Sequence, residues 1–233
     1  TFLKLLTGIE RPDSGTIEVG ETVRFGYYSQ QGLEFDEGKR VIDVVTEIAE
    51  QIDLGDGRRM SASQFLQHFL FTPETQYSFV ARLSGGERRR LYLCTVLMRN
   101  PNFLVLDEPT AGLDPKGRDE ILDQLALLHK TRGISVVLVS HSMEDIAKYV
   151  ERIIVMNHGH VAFDDTPKKV FAHYKELEKI GHAAPQMTYI MHALKEHGMD
   201  VDVTATTVEE ARDTILAALG SQKKNGKKGA EVC

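Results

Sequence analysis

Two adjacent carboxylates, Asp107 and Glu108, follow the apolar run Phe103-Leu104-Val105-Leu106. If that run is a buried strand of a parallel sheet, the pair stands at its C-terminal end, where such sheets place their ligand sites. A carboxylate there can hold Mg2+ directly or through water, because hard cations take oxygen ligands. Its neighbour points the other way and can polarise an attacking water. A strand that ends in a solvated acidic turn leaves the same mark, so the pair alone does not decide. Leu83-Ser84-Gly85-Gly86-Glu87 is a second candidate. Two glycines before a helix let backbone N–H groups approach an anion closely, the helix N-terminus adds its positive dipole, and Ser84 adds a hydroxyl. The same residues also describe a serine N-cap with a Gly-Gly hinge. His141 follows the apolar run 134–139 after Ser140, so it stands at another strand end within reach of a terminal phosphate, although a lone histidine is more often a structural or surface residue. Gln30 closes the region 23–28 and can reach a metal-bound water; alone it is uninformative.

These groups need strands and helices to carry them. Residues 1–8 read as a helix ended by Gly8, and Arg11-Pro12-Asp13-Ser14-Gly15 is turn chemistry. Residues 16–19 and 23–28 read as short strands around Gly20-Glu21. The stretch 33–82 is mostly helical by pattern: Val41, Val44, Val45, Ile48 and Ile52 fall on one helical face, and 63–71 forms a second helix before Pro73. Ser84-Gly85-Gly86 opens a helix to about Arg99, and 116–132 is amphipathic. Residues 103–106, 134–139 and 152–156 read as strands separated by helices, and Gly159 sits in the turn of a terminal hairpin. Apolar strands alternating with helices imply a parallel sheet covered on both faces. Two or three further helices fill 167–219, and the Lys/Gly-rich residues 221–233 read as a frayed tail.

Composition narrows the function. The chain has 233 residues, 42% apolar and 27% charged, with no Trp, as in a soluble globular protein. A net charge of -6 argues against nucleic-acid binding through overall charge, though not against a local basic patch. Cys94 lies in an apolar helical run and Cys233 is the last residue; they do not make a disulfide framework, so a reducing compartment is expected. No apolar run approaches the roughly 18 residues of a membrane span. The chain opens inside an amphipathic run without an initiating Met, and the natural protein is expected to begin further upstream.

The order of the motifs carries the strongest signal. Gln30, then Leu83-Ser84-Gly85-Gly86-Glu87, then Phe103 to Glu108, then Gly112-Leu113-Asp114, then His141 resembles the ATP-binding-cassette (ABC) ATPase domain. In that family these are the Q-loop, the signature, the Walker B strand with its catalytic Glu, the D-loop and the switch His. The resemblance implies a P-loop NTPase-like α/β cassette over 1–163, with a mostly parallel central sheet, an antiparallel β subdomain and a helical subdomain at about 33–100. A C-terminal helical extension over 164–220 and the disordered tail 221–233 follow. It implies ATP and Mg2+ as cofactors. Two cassettes pack head to tail, so that Ser84, Gly85, Gly86 and Glu87 approach the γ-phosphate held by the partner. Asp107 and Gln30 hold the metal and its waters, Glu108 polarises the attacking water, His141 binds the γ-phosphate, and Asp114 links the two sites. Thr1 matches the last residue of the family's phosphate-binding loop, G-x-x-G-x-G-K-S-T, whose other residues are expected upstream of Thr1.

Two subfamilies share the resemblance. From residue 1 to about 103 the chain resembles the ABC-F group, soluble twin-cassette proteins that act on ribosomes, on Phe25-Gly26-Tyr27-Tyr28-Ser29-Gln30, Leu83 to Leu91 and Val96 to Phe103. From about Leu104 to Leu219 the chain resembles the ATPase subunits of energy-coupling-factor (ECF) transporters, importers of vitamins and transition-metal ions. Residues carrying that likeness are Ala111 to Arg118, His141-Ser142-Met143-Glu144-Asp145, Asn157-His158-Gly159-His160-Val161 and Pro167-Lys168-Lys169-Val170-Phe171. The main expectation is an ATPase subunit that energises an importer, paired with a second ABC ATPase domain and an integral membrane subunit, cytoplasmic and peripheral at the inner face of the cell membrane. The alternatives are a ribosome-associated ATPase and an inactive fragment. His158 and His160 read as an exposed hairpin rather than a metal pair, and Arg88-Arg89-Arg90 as a solvated helix face or a partner contact.

Overall fold

A computed structural model describes residues 1–29, 34–53 and 59–228. They form two compact units, residues 1–139 and 140–233. The first is built on the run that carries the paired carboxylates. Helix α1 (Phe2–Leu6) ends where Gly8 takes φ 75° and the Thr7 hydroxyl donates to the Leu3 carbonyl at 2.9 Å. Strand β1 (Phe25–Tyr28) follows, but residues 16–19 do not form the expected strand before it. Ile17 and Val19 stay 46% and 48% exposed; a short strand with no sheet edge to pair with gains too little to order.

Helix α2 (Val41–Thr46) buries Val41 and Val45 completely. The helical pattern expected to continue through Ile52 stops there. The Thr46 hydroxyl donates back to the Ile42 carbonyl at 3.0 Å, and Ile52 enters β2 (Gln51–Asp53), antiparallel to β3 (Arg59–Ser61). A β-branched run is a weak helix former, and opposite Met60 the Ile52 side chain is 1% exposed. Helix α3 (Ala62–His68) starts at a reciprocal Ser61–Gln64 capping box, and α4 (Pro73–Gln76) has proline in its first turn. Gln76 is fully buried yet satisfied: its amide donates to the Ser63 and Phe71 carbonyls at 3.1 and 2.9 Å and accepts from the Ser63 hydroxyl at 2.7 Å.

Helix α5 (Gly85–Met98) buries Leu91, Leu93, Cys94, Val96, Leu97 and Met98. Each such side chain contributes on the order of 1.5–3 kcal/mol, so this helix is anchored at its C-terminal half while its N-terminus stays open. Strand β4 (Phe103–Asp107) is central, with Leu104, Val105 and Leu106 all 0% exposed. It pairs in parallel with β1, Tyr28 opposite Leu106, and with β5 (Ser135–Val139), Asp107 opposite Val139, giving the order β1-β4-β5. Gly26 is required here, because a Cβ would stand 2.8 Å from the Pro101 side chain. Helix α6 (Pro115–Arg132), between β4 and β5, ends at Gly133 in the left-handed conformation.

In the second unit, α7 (Met143–Tyr149) is capped by Ser142, whose hydroxyl accepts from the Asp145 N–H at 3.2 Å. Strands β6 (Ile153–Asn157) and β7 (His160–Asp165) form an antiparallel pair around His158 and Gly159, both at positive φ. Among the described residues β6 pairs only with β7, so it does not extend a parallel sheet as the alternation of elements suggests. Helices α8 (Pro167–Ala172), α9 (Tyr174–Lys179), α10 (Gln186–Glu196) and α11 (Val208–Lys228) complete the unit. Val170, Phe171 and Leu177 pack with Ile153, while Met191, Val201, Ala205 and Ala211 form a second core. Among the described residues no helix is long and apolar enough to cross a membrane.

Candidate functional site

Ser84 is the N-cap of α5 with extended backbone, φ -63° and ψ 162°. Its hydroxyl donates to Glu87 Oε2 at 2.7 Å and accepts from the Glu87 N–H at 3.3 Å, and the same carboxylate accepts from the Ser84 N–H at 2.9 Å. The helical ladder begins with Arg88 N–H donating to the Ser84 carbonyl at 2.9 Å. The N–H groups of Gly85 and Gly86 therefore precede the ladder, at the positive end of the helix.

The two glycines differ. At Gly86 a Cβ would meet Leu113 Cδ2 at 3.1 Å, so the helix start closes tightly on the loop after β4. At Gly85 a Cβ would meet nothing within 4 Å, and its φ is not positive. Ser84, Gly86, Glu87, Arg90, Gly112, Leu113 and Asp114 line one cleft of ≈ 430 Å³. The fold thus brings together Ser84, Gly86, Glu87 and Asp114, which belong to separate motifs. Arg90 and Leu113 join them, and no chemical argument from the sequence singles those two out.

Asp107 is the last residue of β4, and Glu108 follows at φ 52°, a left-handed conformation that costs a non-glycine residue on the order of 1–2 kcal/mol. Its N–H donates to the Val139 carbonyl at 3.0 Å, and its own carbonyl accepts from the Ala111 N–H at 3.2 Å. Those bonds hold the turn that lets two successive carboxylates diverge at the sheet end. Burial raises the pKa of the Tyr27 phenol, and the Asp107 charge adds to that rise. Past the turn, Gly112 takes φ 72°, and Asp114 caps α6 with extended backbone, φ -67° and ψ 160°. Gly117 is needed below it, since a Cβ there would lie 2.8 Å from Asp114 Oδ1.

Three further positions are expected in the site. Gln30 falls outside the described residues. Thr1 is exposed and is the N-cap of α1 without a side-chain bond. His141 is exposed at the start of the second unit, two residues after the end of β5 and next to the cap Ser142. Among the described residues no group of three or more His, Cys, Asp or Glu could enclose a metal ion. A Mg2+ ion suits such a donor set, because it commonly binds one or two carboxylates and completes its shell with phosphate oxygens and water.

The arginine triplet corrects an expectation. Arg88, Arg89 and Arg90 are half-buried rather than a solvated face. Arg88 bridges Glu37 at 2.9 Å, Arg89 Nη1 donates to the Ala111 carbonyl, and the Arg90 guanidinium lies over the Phe71 ring, 5.8 Å from its centre. Three consecutive helical residues point about 100° apart, so the three side chains reach three different neighbours.

Comparison with known proteins bears on the family and the fold. The family model described as "ABC transporter" matches residues 1–111. The energy-coupling factor transporter ATP-binding protein EcfA2 of Clostridium tetani is 46% identical over 143 residues, 61% of this chain and 50% of that protein. EcfA2 of Bacillus thuringiensis strain Al Hakam is 32% identical over 238 residues, 94% of this chain and 80% of that protein. Against the first of these relatives the chain spans about half of that protein's length. Among solved structures, a dimeric post-hydrolysis state of the ATP-binding cassette MJ0796 bound to ADP and Pi aligns with TM-score 0.57 and 21% identity, over 71% of this chain and 78% of that one. With the fold of that cassette and sequence likeness along nearly its whole length to a transporter ATP-binding protein, the chain belongs to the ABC transporter family of ATP-binding proteins.

Proposed function

We propose that this chain binds and hydrolyses MgATP as the ATPase subunit of an ECF-type membrane importer, in a site shared with a second cassette. The observation that carries the shared site is Gly85. Among the described residues neither packing nor backbone geometry calls for glycine there, while its N–H lies at the open end of α5. A glycine without an internal reason, at an anion-binding helix terminus, fits a phosphate arriving from outside. The dimeric, ADP-bound cassette with the same fold supports that geometry.

Each residue then has a task. Gly85 and Gly86 offer N–H groups to the γ-phosphate held by the partner, and the Ser84 hydroxyl turns from Glu87 toward it. Asp107 holds the metal with help from Gln30. A Mg2+ ion held there would supply neutralisation of the phosphate charge. Glu108, set apart from Asp107 by its left-handed backbone, accepts a proton from the attacking water and orients it. His141 donates to the γ-phosphate, Asp114 relays the state of one site to the other, and Thr1 closes the family's phosphate-binding loop. Positioning and charge neutralisation supply most of the rate in phosphoryl transfer, and this set offers both. The subunit works on the cytoplasmic face, docked on an integral membrane partner. The relatives are transporter proteins, which favours the importer over a ribosomal partner.

Residues 1–233 contain no G-x-x-G-x-G-K-S-T segment. The test therefore places a segment of that pattern directly before the chain, with Thr1 as its last residue, and follows phosphate release. Steady MgATP hydrolysis is expected, abolished by Gly85→Asp, which places a carboxylate against the phosphate. Unchanged hydrolysis in the Gly85→Asp chain would refute the shared cradle.

A further inference from the structure

The geometry points to Arg89 as a positioning residue that ties the glycine-opened helix to the turn after the paired carboxylates; this deepens the proposed function and rests on it. Arg89 lies in the second turn of α5, and its Nη1 donates to the Ala111 carbonyl. Ala111 stands in the turn held by its own N–H to the Glu108 carbonyl at 3.2 Å and continued by Leu113 N–H to the Thr110 carbonyl at 3.2 Å. The guanidinium carbon lies 3.7 Å from where a Cβ of Gly112 would be, so the group is stacked along that loop as well as bonded to it.

A third segment is joined to the same helix. Tyr92, one turn further along α5 on the same face, packs its ring on Tyr28 at 4.8 Å between centroids. Tyr28 is the last residue of β1 and is 2% exposed. Burial raises the Tyr28 phenol to about 12, and the Arg89 charge acts in the opposite sense. Arg89 thus touches the loop that follows Glu108, while its own helix presents Gly85 and Gly86 and, through Tyr92, packs on the end of β1. Gly86 and Leu113 meet at the opposite end of the same junction, where a Cβ would have only 3.1 Å. A hydrogen bond from a charged donor to a partly buried carbonyl is among the stronger single contacts, and it fixes direction as well as distance. The consequence is that Ser84–Glu87 and Gly112–Asp114 move together as one rigid lip of the cleft.

The test compares wild type, Arg89→Met, which keeps the length and loses the donors, and Arg89→Lys, which restores one donor. In residues 1–233 as they stand, hydrogen exchange at the Ala111 and Leu113 amides is expected to rise about 10-fold in Arg89→Met, with β4 amides unchanged. In the chain carrying the phosphate-binding segment, kcat is expected to fall about 10-fold or more with the KM for ATP within about 2-fold, and Arg89→Lys to recover part of kcat. Wild-type kcat and wild-type exchange in Arg89→Met would overturn the inference. So would a loss of kcat that follows a lowered melting point and is not recovered by Lys, which would make Arg89 a fold staple only. If the wild-type chain itself turns over no ATP, the proposed function fails, while the exchange measurement still decides whether Arg89 holds the turn.

Discussion

Gly85 sits at a helix start where alanine meets no obstacle, since among the described residues no atom lies within 4 Å of the place an added methyl would take and φ is not positive. Gly85→Ala is therefore expected to stabilise the isolated chain by up to about 1 kcal/mol in urea unfolding, because glycine is the poorer helix former. The same substitution is expected to weaken nucleotide-driven pairing in the chain carrying the phosphate-binding segment, read as a raised MgATP requirement. A stability gain with a functional loss separates a ligand-facing glycine from a structural one. Gly86→Ala should behave differently, losing stability as Leu113 is pushed from its 3.1 Å position. At Glu108 the strained φ of 52° is held by bonds to Val139 and Ala111 that do not use the side chain. Glu108→Gln is therefore expected to keep the melting point and ATP binding while lowering single-turnover hydrolysis by about 100-fold or more. Wild-type turnover would remove Glu108 from its role.

Elements explain why some of this is legible before folding and some is not. Strand β4 and helix α5 announce themselves: four apolar residues before two acids fit a buried strand with a polar end, and Ser-x-x-Glu before a long apolar helix is a capping box. The α2 region is harder, because Val41 to Ile52 satisfies a helical period while β-branched residues favour a strand; the partner Met60, on the neighbouring strand, tips Ile52 to β2. The arginine triplet is misleading for a similar reason, as its partners Glu37, Phe71 and Ala111 come from three separate segments. The cleft itself, where Glu87 meets Asp114, is a tertiary product that spacing does not announce. Strand β1 adds a pH signature. Burial lifts Tyr28 from 10.0 to about 12, so the folded chain holds this proton more tightly than the unfolded one. That stability is fully present below pH 10 and is lost as pH rises toward 12, on the order of 2 kcal/mol in all. Urea unfolding at pH 9 and pH 11.5 should show a loss that shrinks in Tyr28→Phe; equal losses in both chains would place the cause elsewhere.

At the scale of the whole molecule, the first unit holds the acidic strand end and the open helix, and the second begins at Ser140, directly before its own candidate phosphate ligand, His141. The order of motifs along the chain reveals the family, because five short patterns in one sequence are far more restrictive than any one of them. Which likeness governs partner choice is not readable from residues alone, since both subfamilies build the same sheet. Relatives along most of the chain are transporter ATP-binding proteins, which weights the account toward import. The central claim is that one triphosphate is closed between two such chains, the open helix of one facing the acidic strand end of the other. The most direct measurement is the mass in solution, by light scattering, of the chain carrying the phosphate-binding segment and Glu108→Gln, with and without MgATP. A doubling of mass with MgATP, reversed on nucleotide removal and absent in Gly85→Asp, is the expected result. A mass unchanged at saturating, bound MgATP would contradict the account.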